Sequence, residues 1–424
     1  MYHNFQNLRK QHLKIFNTSL EPNFFYRRSE LRSIHKFLRL SKPHFLQHNY
    51  TALCMTNIPS RKHLVLVGTG RAHLDVLKRF AINGVGGLAV TLIASHPDFV
   101  NETMLPRHLL GEVALDEVVH SIDSLISACG VDFIGGRIQA IDPQEQRLHL
   151  DSGEVLPYDT LSLNAEPEFD RDLLEKIMPG VRANALFVYP RHPLLQMWPQ
   201  LQSLALSRPL QIAVLGYSKS AVELSLAAAE MMTAPHGSRI TLLTQGHPLL
   251  PGAPSALRKC IVERLKALNI TVLHDVCTAL SAKGLQLENG ASLVCDAPIL
   301  ALESNTPAWL QDCGVKLNES GQIALNQRLQ SESHNRIFVT PYDAPPEAGP
   351  ALAVNLNASM LGGTLRSIPA TPEWKTMCSG VRRAVFTLGP WVWEGHAAWR
   401  WKAQRDRKQQ AQLLSKAPSS MGMH

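Results

Sequence analysis

The chain has 424 residues, 45% of them hydrophobic and 18% charged, and its formal net charge at pH 7 is +7. This length suits two or three domains, and the composition is that of an ordinary soluble protein. We find no run of 18 apolar residues that could form a membrane-spanning helix and no low-complexity stretch inside the chain. We also expect no signal peptide, because the first residues lack an apolar core and a small-residue cleavage site.

The positive charge lies at the two ends of the chain. Residues 1–54 carry nine Lys/Arg against two Asp/Glu, and residues 368–424 carry nine against three, so the middle is acidic. A nucleic-acid groove needs positive charge along one face of a folded domain, so we predict no nucleic-acid partner. The Arg-rich start is typical either of a mitochondrial transit peptide or, as we favour, of a segment upstream of a true start at Met55. We therefore expect a basic extension over residues 1–60 and a cytoplasmic protein.

The cysteines indicate a reducing compartment rather than a metal site. They are scattered without a Cys-x-x-Cys pair or any metal-ligand spacing, so we interpret them as reduced and mostly structural, and we predict no bound metal. The seven are Cys54, Cys129, Cys260, Cys277, Cys295, Cys313 and Cys378.

The most informative stretch runs from Lys62 to Ser95. It begins with an apolar strand, passes through a Gly-Thr-Gly turn into a helix, and ends in a second apolar strand. Gly68 can make the tight turn, and Gly70 lets the backbone approach a pyrophosphate that the helix N-terminus stabilises. His73 stands where a third glycine is expected, so it either widens the packing of helix on strand or belongs to a family variant of the turn. This order predicts a dinucleotide-binding βαβ unit.

Between the first unit and a second unit of the same kind, the sequence predicts a loop, a helix and a series of short strands. Residues 99–110 form a predicted loop that contains a Met-Leu-Pro sequence, and a helix is predicted from Leu115 to Cys129. Short strands separated by turn residues follow between residues 132 and 163. This pattern predicts a β-meander that returns to the sheet.

A second βαβ unit is predicted over residues 210–243. Its turn offers Gly216, Ser218 and Ala221 at the glycine positions, so the backbone can approach a pyrophosphate less freely. Its second strand is followed by neither an acid for a ribose 2′-hydroxyl nor an arginine for a 2′-phosphate, so NADH and NADPH both stay open. Glu223 lies on an apolar helix face, where it either bonds near a nicotinamide or reaches solvent at a cleft. Two units on one chain are expected when two dinucleotides meet across a cleft.

The rest of the chain contains a second meander, strands near residues 297–302 and 336–340, and a helix over about residues 351–365. The tail from residue 372 holds five of the seven tryptophans. Four tail residues, Trp391, Trp393, Trp399 and Trp401, lie among basic side chains, which suits an interface with anionic lipids. The alternative is that these rings pack against the body of the protein or a dimer mate.

Four short motifs occur in a fixed order. They are the turn 67–73, Met104-Leu105-Pro106, Leu249-Leu250-Pro251-Gly252, and the tail motif Trp393-Glu394-Gly395-His396 with Trp399-Arg400-Trp401-Lys402. With the order of elements, they resemble the pyridine nucleotide-disulfide oxidoreductase superfamily, and within it the type II NADH dehydrogenase-like branch. The narrower resemblance is to the flavoprotein module that also occurs fused to selenide, water dikinase, and it covers about residues 60–408.

The resemblance implies an α/β fold with two Rossmann-like domains and β-meanders. An FAD-binding domain would comprise residues 61–165 and 300–366, with an NAD(P)H-binding domain at 166–299 inserted between them and a basic Trp-rich segment at 367–424. The implied chemistry is hydride transfer from NADH or NADPH to FAD, and then electron transfer to an unidentified acceptor such as a quinone or a redox step of selenium metabolism. A homodimer and a peripheral contact with the cytoplasmic membrane face are further expectations.

The resemblance also implies roles for single residues. Arg71 either pairs with a phosphate or is a solvated side chain, His73 either lies near FAD or packs on the sheet, and Glu223 corresponds to a helix acid common in the second unit. The family carries an Asp near the ribityl and phosphate part of the flavin, for which Asp343 is the candidate. Carried over by position, the residues at the FAD pyrophosphate are Gly68, Gly70, Ala72 and His73, and those at the nicotinamide cofactor are Gly216, Ser218 and Ala221.

The chain departs from the family pattern at positions that face the nucleotides. The family's late motif has a Gly-Asp pair after a strand, whereas here the glycine is absent and Asp343 is displaced by one residue. The glycines that close the two meanders are missing from residues 164–167 and 301–304. A second hypothesis is therefore a relative with a retained fold that acts as a binding or regulatory protein. No Cys-x-x-Cys follows the first helix, so we expect no dithiol-based disulfide reductase.

Overall fold

The structure is a computed structural model. It describes residues 61–234, 236–302, 307–311, 313–319, 321–342, 344–368, 375–388 and 391–414. These residues belong to one compact unit that begins at Ser60. The basic extension expected over residues 1–60 and the candidate site residue Asp343 lie outside the described residues.

The described residues form 21 strands and 11 α-helices. The strands are β1 (His63–Val67), β2 (Ala89–Ala94), β3 (Asp98–Val100), β4 (Val119–Ser121), β5 (Asp132–Gly135), β6 (Ile138–Asp142), β7 (Arg147–Leu150), β8 (Val155–Pro157), β9 (Thr160–Leu163), β10 (Leu186–Phe187), β11 (Gln211–Leu215), β12 (Arg239–Leu243), β13 (Thr271–Leu273), β14 (Cys277–Ser281), β15 (Gly284–Leu287), β16 (Ser292–Val294), β17 (Ala297–Leu300), β18 (Ile337–Val339), β19 (Lys375–Gly380), β20 (Arg383–Leu388) and β21 (Trp391–Gly395). The helices are α1 (Arg71–Asn83), α2 (Leu105–Leu109), α3 (Asp123–Cys129), α4 (Arg171–Ile177), α5 (Val181–Asn184), α6 (Arg191–Ser207), α7 (Lys219–Met232), α8 (Ser255–Ala267), α9 (Ala308–Gln311), α10 (Ala348–Leu361) and α11 (His396–Leu414).

The first sheet has five parallel strands in the order β18-β9-β1-β2-β5. Its central strand, β1, is apolar almost throughout because both of its faces are covered. Leu64 and Leu66 pack with α1 and α10, whereas Val65 and Val67 pack with the antiparallel meander β6-β7-β8. The sheet is the Rossmann-like unit that the strand, glycine turn and helix pattern predicts.

The second sheet is also parallel, in the order β10-β17-β11-β12-β13. On its central strand, β11, Ile212 and Val214 pack with α6, α7 and α8, and Ala213 and Leu215 pack with α4 and the small sheet β14-β15-β16. Its strands lie in the chain between β9 and β18 of the first sheet. The prediction of an α/β fold with two Rossmann-like units is therefore confirmed.

The C-terminal segment adds an antiparallel sheet, β19-β20-β21, and the helix α11. Strand β19 packs on α7 of the second Rossmann-like unit, and α11 packs on β20 and β21. None of the helices in the described part of the chain is both long and apolar enough to cross a membrane.

The prediction of one helix from Leu115 to Cys129 is wrong. A short 3-10 helix at Leu115–Glu117 leads into β4, and only α3 is α-helical. The reason is tertiary, because β4 pairs antiparallel with β3 and the preceding Val118 is fully buried. The same pairing turns the start of the predicted loop over residues 99–110 into a strand.

The topology fixes where a ligand can bind. Strands β2 and β5 extend the first sheet to one side of β1, and β9 and β18 extend it to the other, so the direction of winding reverses between β1 and β9. Ligands of doubly wound sheets bind outside the carboxyl ends of the strands at such a reversal. The candidate site therefore lies where β1, β9 and β18 end.

Candidate functional site

The first glycine turn joins β1 to α1. Gly68 has a φ of +93°, a conformation that favours glycine, and its N–H donates to the Ile93 carbonyl at 2.8 Å. A Cβ at Gly68 would overlap the backbone of Ala165, and a Cβ at Gly70 would overlap the side chain of Asn164. Both glycines are required because the loop that follows β9 packs directly on the turn.

Asn164 is the residue that makes this close contact. Its Oδ1 accepts hydrogen bonds from the N–H groups of Ala72 at 3.0 Å and His73 at 3.3 Å. Its Nδ2 donates to the carbonyls of Thr340 at 3.0 Å and Pro341 at 3.2 Å. One buried amide therefore caps α1 and joins the carboxyl ends of β1, β9 and β18.

His73, at the expected third glycine, is fully buried between α1 and the sheet. Its Nδ1 lies 2.8 Å from the Gly68 carbonyl and its Nε2 lies 2.9 Å from Ser162 Oγ. Burial disfavours the charged imidazolium and lowers the pKa of His73 to about 4. The imidazole is therefore neutral near pH 7, and both of its nitrogens are bound within the protein, so its visible role is structural.

Arg71, the first residue of α1, has an unsatisfied donor. Its Nε is buried and has no hydrogen-bond partner among the described residues. Burial lowers the pKa of Arg71, and the nearby carboxylates of Asp75 and Glu347 oppose that shift. A buried donor on a cation at a helix N-terminus is the donor set that binds a phosphate group.

A buried ion pair lies beside this edge. The Arg191 guanidinium donates through Nε to Glu102 Oε1 at 2.9 Å and through Nη2 to Glu102 Oε2 at 2.6 Å. Arg191 also donates to the Tyr189 hydroxyl at 2.8 Å and lies over the Tyr189 ring. The pKa of Arg191 is raised despite its burial, because Glu102 favours the charged form.

The same network reaches the loops after β9 and β18. Glu166 accepts from the backbone N–H of Arg191 at 3.0 Å and from the Tyr342 hydroxyl at 3.2 Å. Burial raises the pKa of the Glu166 carboxyl. We call Glu102, Glu166, Tyr189, Arg191 and Tyr342 the carboxyl-edge network, because it links the first sheet's carboxyl edge to the first turn of α6.

The second glycine turn follows β11. Gly216 has a φ of +153°, and a Cβ there would overlap the Ala301 carbonyl of the loop after β17. Ser218 is the N-cap of α7, and its side chain accepts from the Ala221 N–H at 3.5 Å. Ala221 is fully buried, so its small side chain permits the close packing of α7 on the sheet.

A loop covers part of this second turn. The N–H of Leu250, in the predicted Leu-Leu-Pro-Gly motif, donates to the Tyr217 carbonyl at 2.9 Å, and the Tyr217 ring lies 4.3 Å from the His247 ring. Gln245, just past the end of β12, accepts from the Cys277 N–H, but its buried Nε2 has no partner among the described residues. The NH₂ group of Gln245 is therefore free to donate to a polar ligand at the carboxyl end of β12.

Glu223 contacts the C-terminal segment. It is 7% exposed, and its Oε1 accepts from the Cys378 N–H of β19 at 2.8 Å. Nearby, the buried ammonium of Lys402 donates to Asp406 at 2.6 Å and to the Thr103 carbonyl at 3.1 Å. Of the two roles left open for Glu223, contact with solvent is wrong, because the carboxylate is buried against β19.

Reasoning from sequence identified the two turns but missed several polar partners. Asn164, Glu166 and Tyr342 were visible only as departures from a family pattern, and Glu102 precedes the Met-Leu-Pro motif by two residues. Arg191 lies in a stretch without a motif, so only the fold reveals it. In the described part of the chain, no three or more His, Cys, Asp or Glu side chains are grouped as metal ligands.

The family model for pyridine nucleotide-disulphide oxidoreductases matches residues 62–340, which is more than half of the chain. The chain belongs to the pyridine nucleotide-disulphide oxidoreductase family. A search of curated protein sequences gave no match. The resemblance to this family that the motifs indicate is confirmed, and with it the assignment to FAD-dependent pyridine nucleotide oxidoreductases. The narrower resemblance, to the flavoprotein module that also occurs fused to selenide, water dikinase, stays a prediction.

Solved structures of several oxidoreductases share this fold. The sulfide:quinone oxidoreductase of Aquifex aeolicus aligns with a TM-score of 0.65 at 17% identity, over 84% of this chain and 93% of that one. NDH2 of Plasmodium falciparum, solved with NADH, aligns with a TM-score of 0.64 at 13% identity, over 84% and 99%. The water-forming NADH oxidase of Lactobacillus brevis gives a TM-score of 0.61 at 16% identity, over 77% and 74%. At these identities the likeness concerns the fold.

The cofactors of this oxidoreductase family are FAD and NAD(P)H, and the residues present fit both. At the first turn the unpaired Nε of Arg71 fits the FAD pyrophosphate, whereas the N–H groups of Ala72 and His73 are already bound to Asn164. At the second turn the unpaired Nε2 of Gln245 fits a ribose hydroxyl of the nicotinamide nucleotide. The fit therefore rests on two side-chain donors rather than on three glycines.

Proposed function

We propose that this protein oxidises NADH or NADPH through bound FAD and passes the electrons to a quinone. Six buried side-chain polar atoms have no hydrogen-bond partner among the described residues, and the two that carry the proposal are Arg71 Nε at the first turn and Gln245 Nε2 beside the second. Buried donors are nearly always satisfied, and these two lie at the turns where a dinucleotide binds in this fold, so a bound nucleotide is the partner that would complete them. The structural likeness to a sulfide:quinone oxidoreductase and to NDH2 solved with NADH supports the choice of substrates.

The protein would position and shield the cofactors while FAD supplies the ring that accepts a hydride. Arg71 would hold the pyrophosphate by a charge-assisted hydrogen bond, and Gln245 would orient the nicotinamide nucleotide through its ribose. The Glu102–Arg191 pair neutralises its own charge, so the Arg191 guanidinium can stay buried at the carboxyl edge of the first sheet. Since a hydride carries both electrons, no side chain has to remove a proton from the nicotinamide.

The test is the visible absorption spectrum of the purified full-length protein before and after anaerobic addition of NADH or NADPH. We expect flavin bands that bleach with one of the two nucleotides and return when a soluble ubiquinone analogue is added. Bands that bleach but return only with oxygen would show that a quinone is not the acceptor, while the proposed reduction of FAD by NAD(P)H would still hold. Flavin bands that persist with both nucleotides would contradict the proposal that NADH or NADPH reduces the bound FAD.

A second candidate function is a retained fold that binds partners without turnover. Two contacts favour it: Asn164 already occupies two N–H groups of α1, and the loop at Leu250 lies on the second turn. A colourless preparation that cannot be reconstituted with FAD would support this candidate. We also propose a cytoplasmic location, since the six cysteines of the described residues are all free thiols.

A further inference from the structure

The C-terminal helix α11 reaches α1, the helix that follows the first glycine turn. The Lys78 ammonium on α1 donates to the Gln412 carbonyl on α11. One residue further on, Leu413 is buried in the core of the first unit together with Leu74 and Leu77 of α1. The last turns of α11 are therefore fixed against the middle of α1.

The spacing along the two helices places Arg405 beside Arg71. Arg71 lies seven residues before Lys78 on α1, and Arg405 lies seven residues before Gln412 on α11. Seven residues of α-helix span about 10.5 Å, which is nearly two turns. The electrostatics agree, because burial lowers the pKa of Arg71 and the charge of Arg405 lowers it further. The two helices therefore run in the same direction, with a cation of each at the start of α1.

The side chain of Arg405 leans back along α11. Its guanidinium lies 5.5 Å from the centre of the Trp401 ring, which is one turn earlier on the helix. Helical side chains lean towards the N-terminus of their helix. Because α1 runs in the same direction, this lean carries the guanidinium towards the N-terminus of α1, which is where helices bind phosphate groups. The contact with Trp401 holds the guanidinium without neutralising its charge.

Neither Arg71 nor Arg405 is in an ion pair within the described residues. The carboxylates near Arg71 are those of Asp75 and Glu347, which oppose the lowering of its pKa. Asp75, however, directs its carboxylate to the start of α10, where a Cβ at Gly349 would overlap Asp75 Oδ2. Glu347 is exposed to solvent, and the buried Nε of Arg71 has no partner in the described part of the chain. The donors of both guanidinium groups are therefore open to an anion.

We propose that Arg405 completes the phosphate site of the first unit, so that Arg71 of α1 and Arg405 of α11 together bind the FAD pyrophosphate. The inference rests on the proposed function, because it takes FAD as the ligand of the first turn. Neighbouring guanidinium groups repel each other, and a dianion bound to both satisfies them by charge-assisted hydrogen bonds. A second arginine also compensates for the N–H groups of Ala72 and His73, which Asn164 occupies. The C-terminal helix is then part of the cofactor site.

The first measurement is equilibrium dialysis of the full-length protein against FAD. Arg405→Gln should raise the dissociation constant of FAD about tenfold, because it removes a charge-assisted donor. Arg405→Lys keeps a cation and should raise the constant by no more than about threefold. Arg407→Gln is the matched control, since it removes the same charge from an exposed position of α11 and should leave the constant unchanged. Thermal unfolding without nucleotide checks that the variants fold.

The second measurement is hydrogen exchange with ADP, which carries two phosphates but no flavin. ADP should slow exchange in α11 around Arg405 in the wild type and in Arg407→Gln, but not in Arg405→Gln. Adenosine, which has no phosphate, should protect none of the three proteins.

The outcomes separate this inference from the proposed function. Equal FAD dissociation constants of Arg405→Gln and Arg407→Gln would overturn the role of Arg405, while FAD binding itself would still support the proposed function. A wild type that binds no FAD, but whose α11 is protected by ADP only when Arg405 is present, would keep the two-arginine phosphate site and contradict the proposed function.

Discussion

The hydroxyl of Tyr342 donates a hydrogen bond to the carboxylate of Glu166 across 3.2 Å. Both residues lie in segments where the chain lacks a glycine that the family pattern contains, one after β9 and the other after β18. The two departures therefore meet in space. Together, Glu166 and Tyr342 connect the carboxyl ends of the neighbouring strands β9 and β18. Glu166 also accepts from the Arg191 N–H, which links both strands to the first turn of α6.

If the two departures depend on each other, Tyr342→Phe and Glu166→Ala should not be additive, because each removes the hydrogen bond between these side chains. Each single variant should lose about 1 kcal/mol of unfolding free energy, and the double variant should lose less than the sum by about 0.5 kcal/mol or more. Urea unfolding of the four proteins measures this coupling. Strict additivity would contradict the hydrogen bond as an energetic unit.

The buried His73 predicts a specific loss of stability in acid. Its pKa is about 4 in the folded protein and about 6.5 when unfolded, so the unfolded chain binds the proton first as the pH falls. Protonation of the unfolded chain does not reduce the unfolding free energy above about pH 6.5. The loss grows as the pH falls towards 4, and it reaches about 2 kcal/mol at pH 5. Urea midpoints at pH 7 and pH 5 measure it. His73→Gln should flatten this part of the pH profile, and an unchanged profile would show that His73 is not the titrating group.

Removal of the Arg71 donor should weaken FAD binding without unfolding the protein. A charge-assisted hydrogen bond to a phosphate is worth about 1.5–3 kcal/mol, so Arg71→Met should raise the dissociation constant of FAD about tenfold to a hundredfold. Titration of FAD into the apoprotein, followed by flavin fluorescence, gives the constant. Arg79→Met is the matched control, because Arg79 is exposed on the same helix. Equal effects of the two changes would rule out a phosphate contact at Arg71.

Glu223 provides a test of what holds the C-terminal segment in place. Glu223→Ala removes the acceptor of the Cys378 N–H, so we expect faster hydrogen exchange in β19 and a loss of about 1–3 kcal/mol in stability. Glu223→Gln keeps a carbonyl oxygen at that place and should protect β19 almost as well as the wild type does. A nucleotide affinity that falls in both variants, with β19 exchange unchanged, would instead assign Glu223 to the nicotinamide site.

Much of the fold follows from local sequence. The apolar runs of β1 and β11, each followed by a glycine turn and an amphipathic helix, specify two parallel units because a strand covered on both faces has to be apolar throughout. The positions of Gly68 and Gly216 likewise follow from the turn, since their φ angles favour glycine. These features depend on neighbours along the chain, and so the sequence alone determines them.

Only the tertiary structure decided which polar groups meet. Asn164, Arg191 and Tyr342 are separated by long stretches of chain, and nothing in their local patterns links them to the first turn, yet the topology brings β9, β18 and α6 to one edge. The roles of His73 and Glu223 stayed open for the same reason. Whether a polar side chain faces a ligand or satisfies a backbone N–H depends on burial and on partners distant in sequence, and the packing of the two units and the C-terminal sheet supplies both.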